Sequence, residues 1–480
     1  MFLKKITIVS ITLLLSIASF GQKPRFRDKK VAANVKKHIE YLASNDLEGR
    51  YTATNGEKMS AEYIAGQFEK MGLVPEGDSG YLQYVGVPNL RMTQPKSSLK
   101  IGDEVLMLFT DFYPINISAN NGRYTGEAIN VNYGIEDPGL KNLDYEKKDV
   151  KGKAVIINLD IPGSSNQHNR FVAWEDAEMR AQYAISLGAR AVLFYTTNKA
   201  LKPSGKLEKT LEHIGKPVLF VNRDLSKITT EHIDLNLDVM LLTLQAHNII
   251  GQIDNRSAHT VIITAHHDHL GSGNNSQIQP QYKNQIHNGA DNNASGVAAL
   301  LELAREISSK PKKYSTYNYM FVAFTGSELN QLGSQFFVTS KPFESIETNY
   351  VLNLDMVGHL DSANKELFIN GTATSTTMTS ILSSVKISKR KIINVNMSGH
   401  DLGSSDMESF LKFGMPAVLI STGKQSYSNT PNDDSRIINF GGEAFVIRYL
   451  SKMIRTLDKN PIPRVTDKAL QILTLESNNP

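Results

Sequence analysis

Thr260-Val261-Ile262-Ile263-Thr264-Ala265-His266-His267-Asp268-His269-Leu270-Gly271 is the stretch on which the fold of this chain turns. The run Thr260 to Ala265 is short, continuous and rich in β-branched residues, which is the pattern of a strand covered on both faces. It stops at four consecutive polar side chains, His266 to His269. Imidazoles and a carboxylate are thereby set at the carboxyl end of a strand, the edge at which an open α/β sheet builds its sites.

Outward from this stretch the pattern repeats as strand, loop and helix. A helix is predicted from about Ser295 to Ile307, and strands at Tyr319 to Thr325, Val351 to Met356 and Pro416 to Ser421. Polar residues again follow the apolar runs: Gly326-Ser327-Glu328 after one and Asn353-Leu354-Asp355-Met356-Val357-Gly358 out of another, while Asn288 to Gly296 leads into the helix. Taken singly, a histidine after a strand is more often a polar surface or capping residue than a ligand. Taken as a set, His266, Asp291, Glu328 and Asp355 make a hard-oxygen and imidazole site of the kind zinc takes, because such ligands converge in space while lying far apart in sequence.

Upstream, Val35, Ile39 and Leu42 share a helical face; after a loop from Asp46 to Asn55, Ala61, Ile64, Phe68 and Met71 define a second helix that Gly72 ends. Between about 95 and 245 the character changes to short β-rich runs, Ala154 to Leu159, Ala191 to Tyr195 and Val218 to Val221, with one helix from Ala177 to Leu187. Trp174 and Phe171 read as core residues of this stretch. The expected division is a leader at 1–21, an α/β domain made of 22–94 and 246–460, an inserted strand-rich module at 95–245, and a tail at 461–480.

With 480 residues the chain exceeds one ordinary domain, and 40% apolar with 21% charged residues is the composition of a soluble globular protein. The chain holds no cysteine, which excludes disulfides and thiolate ligands, so any metal must rest on His, Asp or Glu. Lys4 and Lys5, the apolar run Ile6 to Ile17 and the small residues Ser19 and Gly21 form the pattern of a cleavable export signal. That run is too short to serve as a stable membrane anchor. The expected location is therefore periplasmic or extracellular. Loss of Lys4 and Lys5 takes the formal charge from +4 to +2, which argues against a nucleic-acid partner held by charge.

Four ordered blocks, His266 to Gly271, Gly289 to Gly296, Phe324 to Ser334 and Asn353 to Met356, resemble metallopeptidase family twenty-eight, the secreted zinc aminopeptidases and their relatives. The opening Leu42 to Arg50 and the Ala61 to Leu73 helix look like that family's start, and Val150 to Val155 with Gly188 to Val192 look like its protease-associated insertion. The resemblance implies an α/β fold with a central, mixed and mostly parallel sheet, helices on both faces, and a peptide substrate. It also implies that Asp291 bridges two zinc ions, that His266 and Asp355 complete one, that Glu328 serves the other, and that Asp268 orients His266. The peptide bond after Asp291 is expected to be cis.

Two departures stand out. Ser327 occupies the place of the family's general base, and a serine hydroxyl is no base near neutral pH without an activating partner. Asn429 occupies the place of the last histidine ligand, and asparagine is a feeble zinc ligand. Met407 likewise replaces a polar residue near the site. His287, His359 and His400 are the candidates to stand in for the base. One zinc at His266, Asp291 and Asp355 is expected to bind well and the second poorly. Two readings stay open: an exported aminopeptidase weakened at these positions, and an inactive pseudopeptidase that binds a peptide or partner protein.

Overall fold

The computed structural model describes residues 26–163, 169–205, 207, 214–273, 278–361, 363–385, 393–399 and 405–460. The expected leader at 1–21, the tail at 461–480 and His400 lie outside the described residues. The chain divides into two compact units, one holding residues up to Val85 and from Ala246 onward, the other Gly86–Gln245.

The first unit carries the candidate site. Its helices include α1 (Phe26–Leu42), α2 (Asn55–Met71), α3 (Gly296–Ser308), α4 (Met407–Lys412) and α5 (Phe440–Leu457). The strands are β1 (Val74–Pro75), the end of β2 (Thr230–Ile253), β3 (His259–His266), β4 (Asn318–Phe324), β5 (Glu347–Leu354), β6 (Glu366–Asn370), β7 (Asn394–Ser398) and β8 (Ala417–Ser421). They lie in the order β1, β2, β4, β3, β5, β8, β6, β7. The centre is parallel: β3 pairs with both β4 and β5, and β5 pairs with β8. Antiparallel pairs, β2 with β4 and β6 with β8, make the sheet mixed.

Alternate residues of each strand enter two separate cores, which is why the strands read as unbroken apolar runs. Val261, Ile263, Phe321 and Leu352 face α1, α2, α3 and α5, where Ile39, Phe68, Leu300 and Leu450 are buried. Ile262, Met320, Val322 and Val351 face the other way, against Phe337, Phe343 and α4. Met407 belongs to this second core and is fully buried with Phe410, so it is a packing residue rather than a replaced site residue.

Helix α2 starts where the Thr54 hydroxyl accepts the Glu57 amide hydrogen and ends at Gly72, whose φ of 72° is left-handed. The expected loop before it contains a 3-10 turn, Asn45–Arg50, which matters below.

Among its described residues the second unit is strand-rich and has one α-helix, Ala177–Ser186. Strands Asn121–Asn130, Ala154–Asn158, Ala191–Tyr195 and Val218–Val221 are adjacent in that order, and all four are parallel. Its sheet also separates two cores, one containing Ile156, Leu193 and Leu219, the other Ile157, Phe194 and Phe220. Trp174 and Phe171 are half-buried and outside both, in contrast to the core role expected of them. Trp174 sits at a polar edge, with its indole nitrogen donating to Asp137 Oδ2 at 3.3 Å.

Candidate metal centre

The strand ends converge as the alternation of apolar runs and polar tips demands. A cleft of about 260 Å³ opens at the carboxyl ends of β3, β4 and β5, and His266, Asn292, Ser327, Glu328, Asp355 and Asn429 are among the residues that line it. His266 Nε2 stands 3.6 Å from Asp355 Oδ1. His266 Nδ1 lies 3.1 Å from the main-chain oxygen of Asp268, which can only accept, so the ring donates there and turns Nε2 to the cleft.

The orienting group for His266 thus differs from the expected one. The Asp268 carboxylate lies farther from the ring, at 3.6 Å, because it is occupied elsewhere. Its Oδ1 accepts the Ser327 amide hydrogen at 3.1 Å, and its Oδ2 accepts the Thr52 hydroxyl at 2.9 Å and the Glu328 amide at 3.4 Å. Asp268 ties the loop after β3 to the loop after β4. Burial alone would raise this carboxyl, but the bond with His266 and the charges around it hold it below the usual carboxylate range. Burial likewise opposes charge on His266, and Asp268 with Asp355 outweighs it, raising the imidazole well above its ordinary value.

Asp291 is fully buried in the turn Ala290–Ser295 that opens α3. Its Oδ1 accepts the Gly358 amide at 2.9 Å and the Ser295 hydroxyl at 3.1 Å. Its Oδ2 has no hydrogen-bond partner, and neither does Asp355 Oδ1. Burial, then the charge of Asp433, pushes the Asp291 carboxyl up to about 7, with Asp355 adding to the effect. Asp433 spans the turn, accepting the amide hydrogens of Asp291 at 2.7 Å and Asn292 at 3.0 Å. The cis peptide bond falls at Asn292–Asn293, one residue later than expected. Gly289, with φ of 58°, leaves no room for a side chain: a Cβ there would lie 2.3 Å from Asn292 O and 2.5 Å from the His269 ring.

Glu328 and Asn429 are brought together by an amide. Asn292 Nδ2 donates to Glu328 Oε1 at 3.2 Å and to Asn429 Oδ1 at 2.8 Å, and His269 Nδ1 stands 3.0 Å from the same Glu328 oxygen.

Whether these residues suit zinc divides along the same line. On the His266 side, an imidazole nitrogen and two buried carboxylate oxygens without partners have the donor chemistry of a zinc site, and the surplus of buried negative charge favours a cation. Among the described residues, no group of three or more His, Asp or Glu side chains is arranged so that it could hold a metal ion as it stands. On the Glu328 side the donors are already satisfied by Asn292 and His269, so a second zinc does not fit.

Ser327 Oγ donates to Asp406 Oδ2 at 3.0 Å, and Asp406 is 1% exposed. Burial raises the Asp406 carboxyl to about 6 against the opposing charge of His266. His287 and His359 do not line the cleft: His287 Nδ1 donates to Gln285 O at 2.9 Å, and His359 packs edge-on against Tyr427.

Sequence reasoning gave no role to Arg50, His267, His269, Asp406 or Asp433. Arg50 is fully buried and donates to the main-chain oxygens of His267, Leu42, Asn288 and Gly289. It clamps the loop bearing His266 to the turn bearing Asp291. Burial lowers its guanidinium to about 10, which leaves it charged at neutral pH. His267 turns away from the cleft, its ring against Ser60 Oγ at 3.1 Å and His247 O at 2.9 Å. The only sequence signal for these five is polarity: Arg50, His267 and His269 fall within the family-like stretches Leu42 to Arg50 and His266 to Gly271, and Asp406 stands next to Met407.

Acids and an imidazole at the carboxyl edge of an α/β sheet stand where such folds build their sites. Residues 248–451, rather less than half of the chain, match the family model described as Peptidase family M28. It is 26% identical over 334 residues to aminopeptidase YwaD of Bacillus subtilis (strain 168), covering 68% of this chain and 62% of that protein. It is 41% identical over 106 residues to a probable zinc metalloprotease of Pyrenophora tritici-repentis (strain Pt-1C-BFP), covering 20% of this chain and 24% of the other. The chain thus spans less than two thirds of the length of these curated relatives. Among solved structures, BSAP, a zinc aminopeptidase from Bacillus subtilis, aligns with a TM-score of 0.48 at 21% identity, covering 91% of this chain and 98% of that one. Among the described residues no helix is long and apolar enough to cross a membrane.

Proposed function

We propose that this chain is an exported, metal-dependent aminopeptidase that removes the first residue of peptides, with one zinc held by His266, Asp291 and Asp355. The observation that carries the reading is the approach of His266 Nε2 to Asp355 Oδ1 together with two buried carboxylate oxygens, on Asp355 and Asp291, that lack partners. Bound zinc supplies Lewis acidity toward the scissile carbonyl. His266 is oriented through its Nδ1 bond to the Asp268 main chain, and the Asp268 carboxylate fixes the Ser327 and Glu328 amides at the cleft wall. With Ser327 at the general-base position, turnover is slower than a carboxylate placed directly at the cleft would give. The strand-rich unit acts as a protease-associated module.

The test is metal analysis of the purified chain with an assay on aminoacyl nitroanilides. About one zinc per chain is expected, lost with turnover in His266→Ala; zinc content unchanged by that substitution contradicts the assignment.

A second reading, a peptide-binding protein without turnover, is favoured by the Asn292 amide that joins Glu328 to Asn429. Peptide binding by calorimetry with no cleavage of the same peptide is the result that would select it.

A further inference from the structure

The hydroxyl of Ser327 has the activating partner that the sequence does not reveal. Ser327 lines the cleft, while Asp406 lies behind it, 79 residues further along the chain, and accepts its hydroxyl hydrogen at 3.0 Å. Asp406 is 1% exposed, and its second oxygen, Oδ1, has no hydrogen-bond partner among the described residues. A carboxylate so placed has one evident use for its bonded oxygen: it holds the serine proton away from the cleft and turns the serine lone pairs toward it. Asp406 faces the charges of His266 and Asp268 and the hydroxyls of Ser327 and Ser334.

We infer that Ser327 and Asp406 form a proton relay, in which Asp406 is the proton acceptor at the position where the side chain of residue 327 is too weak a base. This rests on the aminopeptidase reading. As water attacks the scissile carbonyl carbon, an O–C bond forms and the water proton passes to Ser327 Oγ as the serine proton passes to Asp406 Oδ2. When the C–N bond breaks, the proton returns from Asp406 through Ser327 to the leaving amine nitrogen, so both side chains end as they began. Ser327 touches the reacting water, and Asp406 acts through it.

The test uses the full chain loaded with zinc, a panel of aminoacyl nitroanilides, and the variants Ser327→Ala, Asp406→Asn, the double variant, and Asp406→Asn combined with Ser327→Glu. Each single variant is expected to lower kcat by about 10²- to 10⁴-fold with KM within threefold and zinc content unchanged. The double variant should be no slower than the slower single one, because groups that act as a unit are not additive. Ser327→Glu should restore turnover in the Asp406→Asn background by placing a carboxylate at the cleft directly. In the metal-free protein, the ¹³C carboxyl signal that Asp406→Asn removes should shift in Ser327→Ala.

An Asp406→Asn enzyme with undiminished kcat, losses that multiply in the double variant, or a carboxyl signal indifferent to Ser327→Ala each overturns the relay while leaving the aminopeptidase reading intact. A wild-type chain without turnover on any substrate overturns both.

Discussion

Asn292 sits where a cation would otherwise be wanted. Its amide nitrogen donates to Glu328 Oε1 and Asn429 Oδ1 at once, and those oxygens come from different loops of the first unit. An amide NH₂ presents two hydrogens and no full charge, so it satisfies the oxygens without the affinity for water or phosphate that a metal would bring. Asn429 has φ of 62°, a left-handed conformation that asparagine and histidine adopt more readily than most residues. Asn429→His is therefore tolerated by the backbone and replaces a feeble oxygen donor with an imidazole. The zinc content of this variant should rise from about one to about two per chain; a value that stays at one shows that Asn292 keeps Glu328 engaged regardless.

At the scale of single elements, the short turn Asn45–Arg50 and helix α5 each have one polar residue with a large structural effect. Arg50 gathers four main-chain oxygens around one buried guanidinium, a fork that a lysine cannot reproduce. Arg50→Lys is expected to cost about 3–5 kcal/mol in urea unfolding, since it leaves buried acceptors unpaired around a buried charge. Zinc content should fall with it, because the clamped loops carry His266 and Asp291. Unfolding within about 0.5 kcal/mol of the wild type would contradict the clamp.

Asp458, the residue after α5, accepts hydrogens from Tyr319 and Tyr350, and burial raises its carboxyl to about 6. A raised carboxyl contributes stability that is fully present below the unfolded value near 3.8 and is lost as pH rises through about 6. That loss is on the order of 3 kcal/mol. Denaturant midpoints measured from pH 4 to 7 should fall for the wild type and fall less for Asp458→Asn; parallel curves would remove Asp458 from the account.

Which of these features the sequence could reveal follows from range. The strands β3, β4 and β5 were legible because both faces are buried and their polar tips stop the apolar runs within one or two residues. His266, Ser327, Glu328 and Asp355 line one cleft because they stand at or just beyond such tips, and they are joined there by Asn292 from the turn into α3 and Asn429 from the loop after β8. Arg50 and Asp406 were not legible: the first works 217 residues away on the His267 carbonyl, from a turn that reads as loop, and the second pairs with a serine 79 residues upstream. Met407 misled for the same reason, since nothing local distinguishes a methionine facing a cleft from one facing a core.

For the whole molecule, the site belongs to one unit, the M28 domain and the helices that precede it in the chain, and every interaction argued for it is internal to that unit. Under the proposed function, the cleft of the first unit has two unequal halves. One half has an imidazole and two buried carboxylate oxygens without hydrogen-bond partners. The other has donors and acceptors that already satisfy one another. Anomalous diffraction from a zinc-soaked crystal, collected at the zinc edge, tests this asymmetry most directly. The account predicts one strong peak among His266, Asp291 and Asp355 and none beside Glu328 and Asn429. Two peaks of equal height, or a single peak on the Glu328 side, would contradict it.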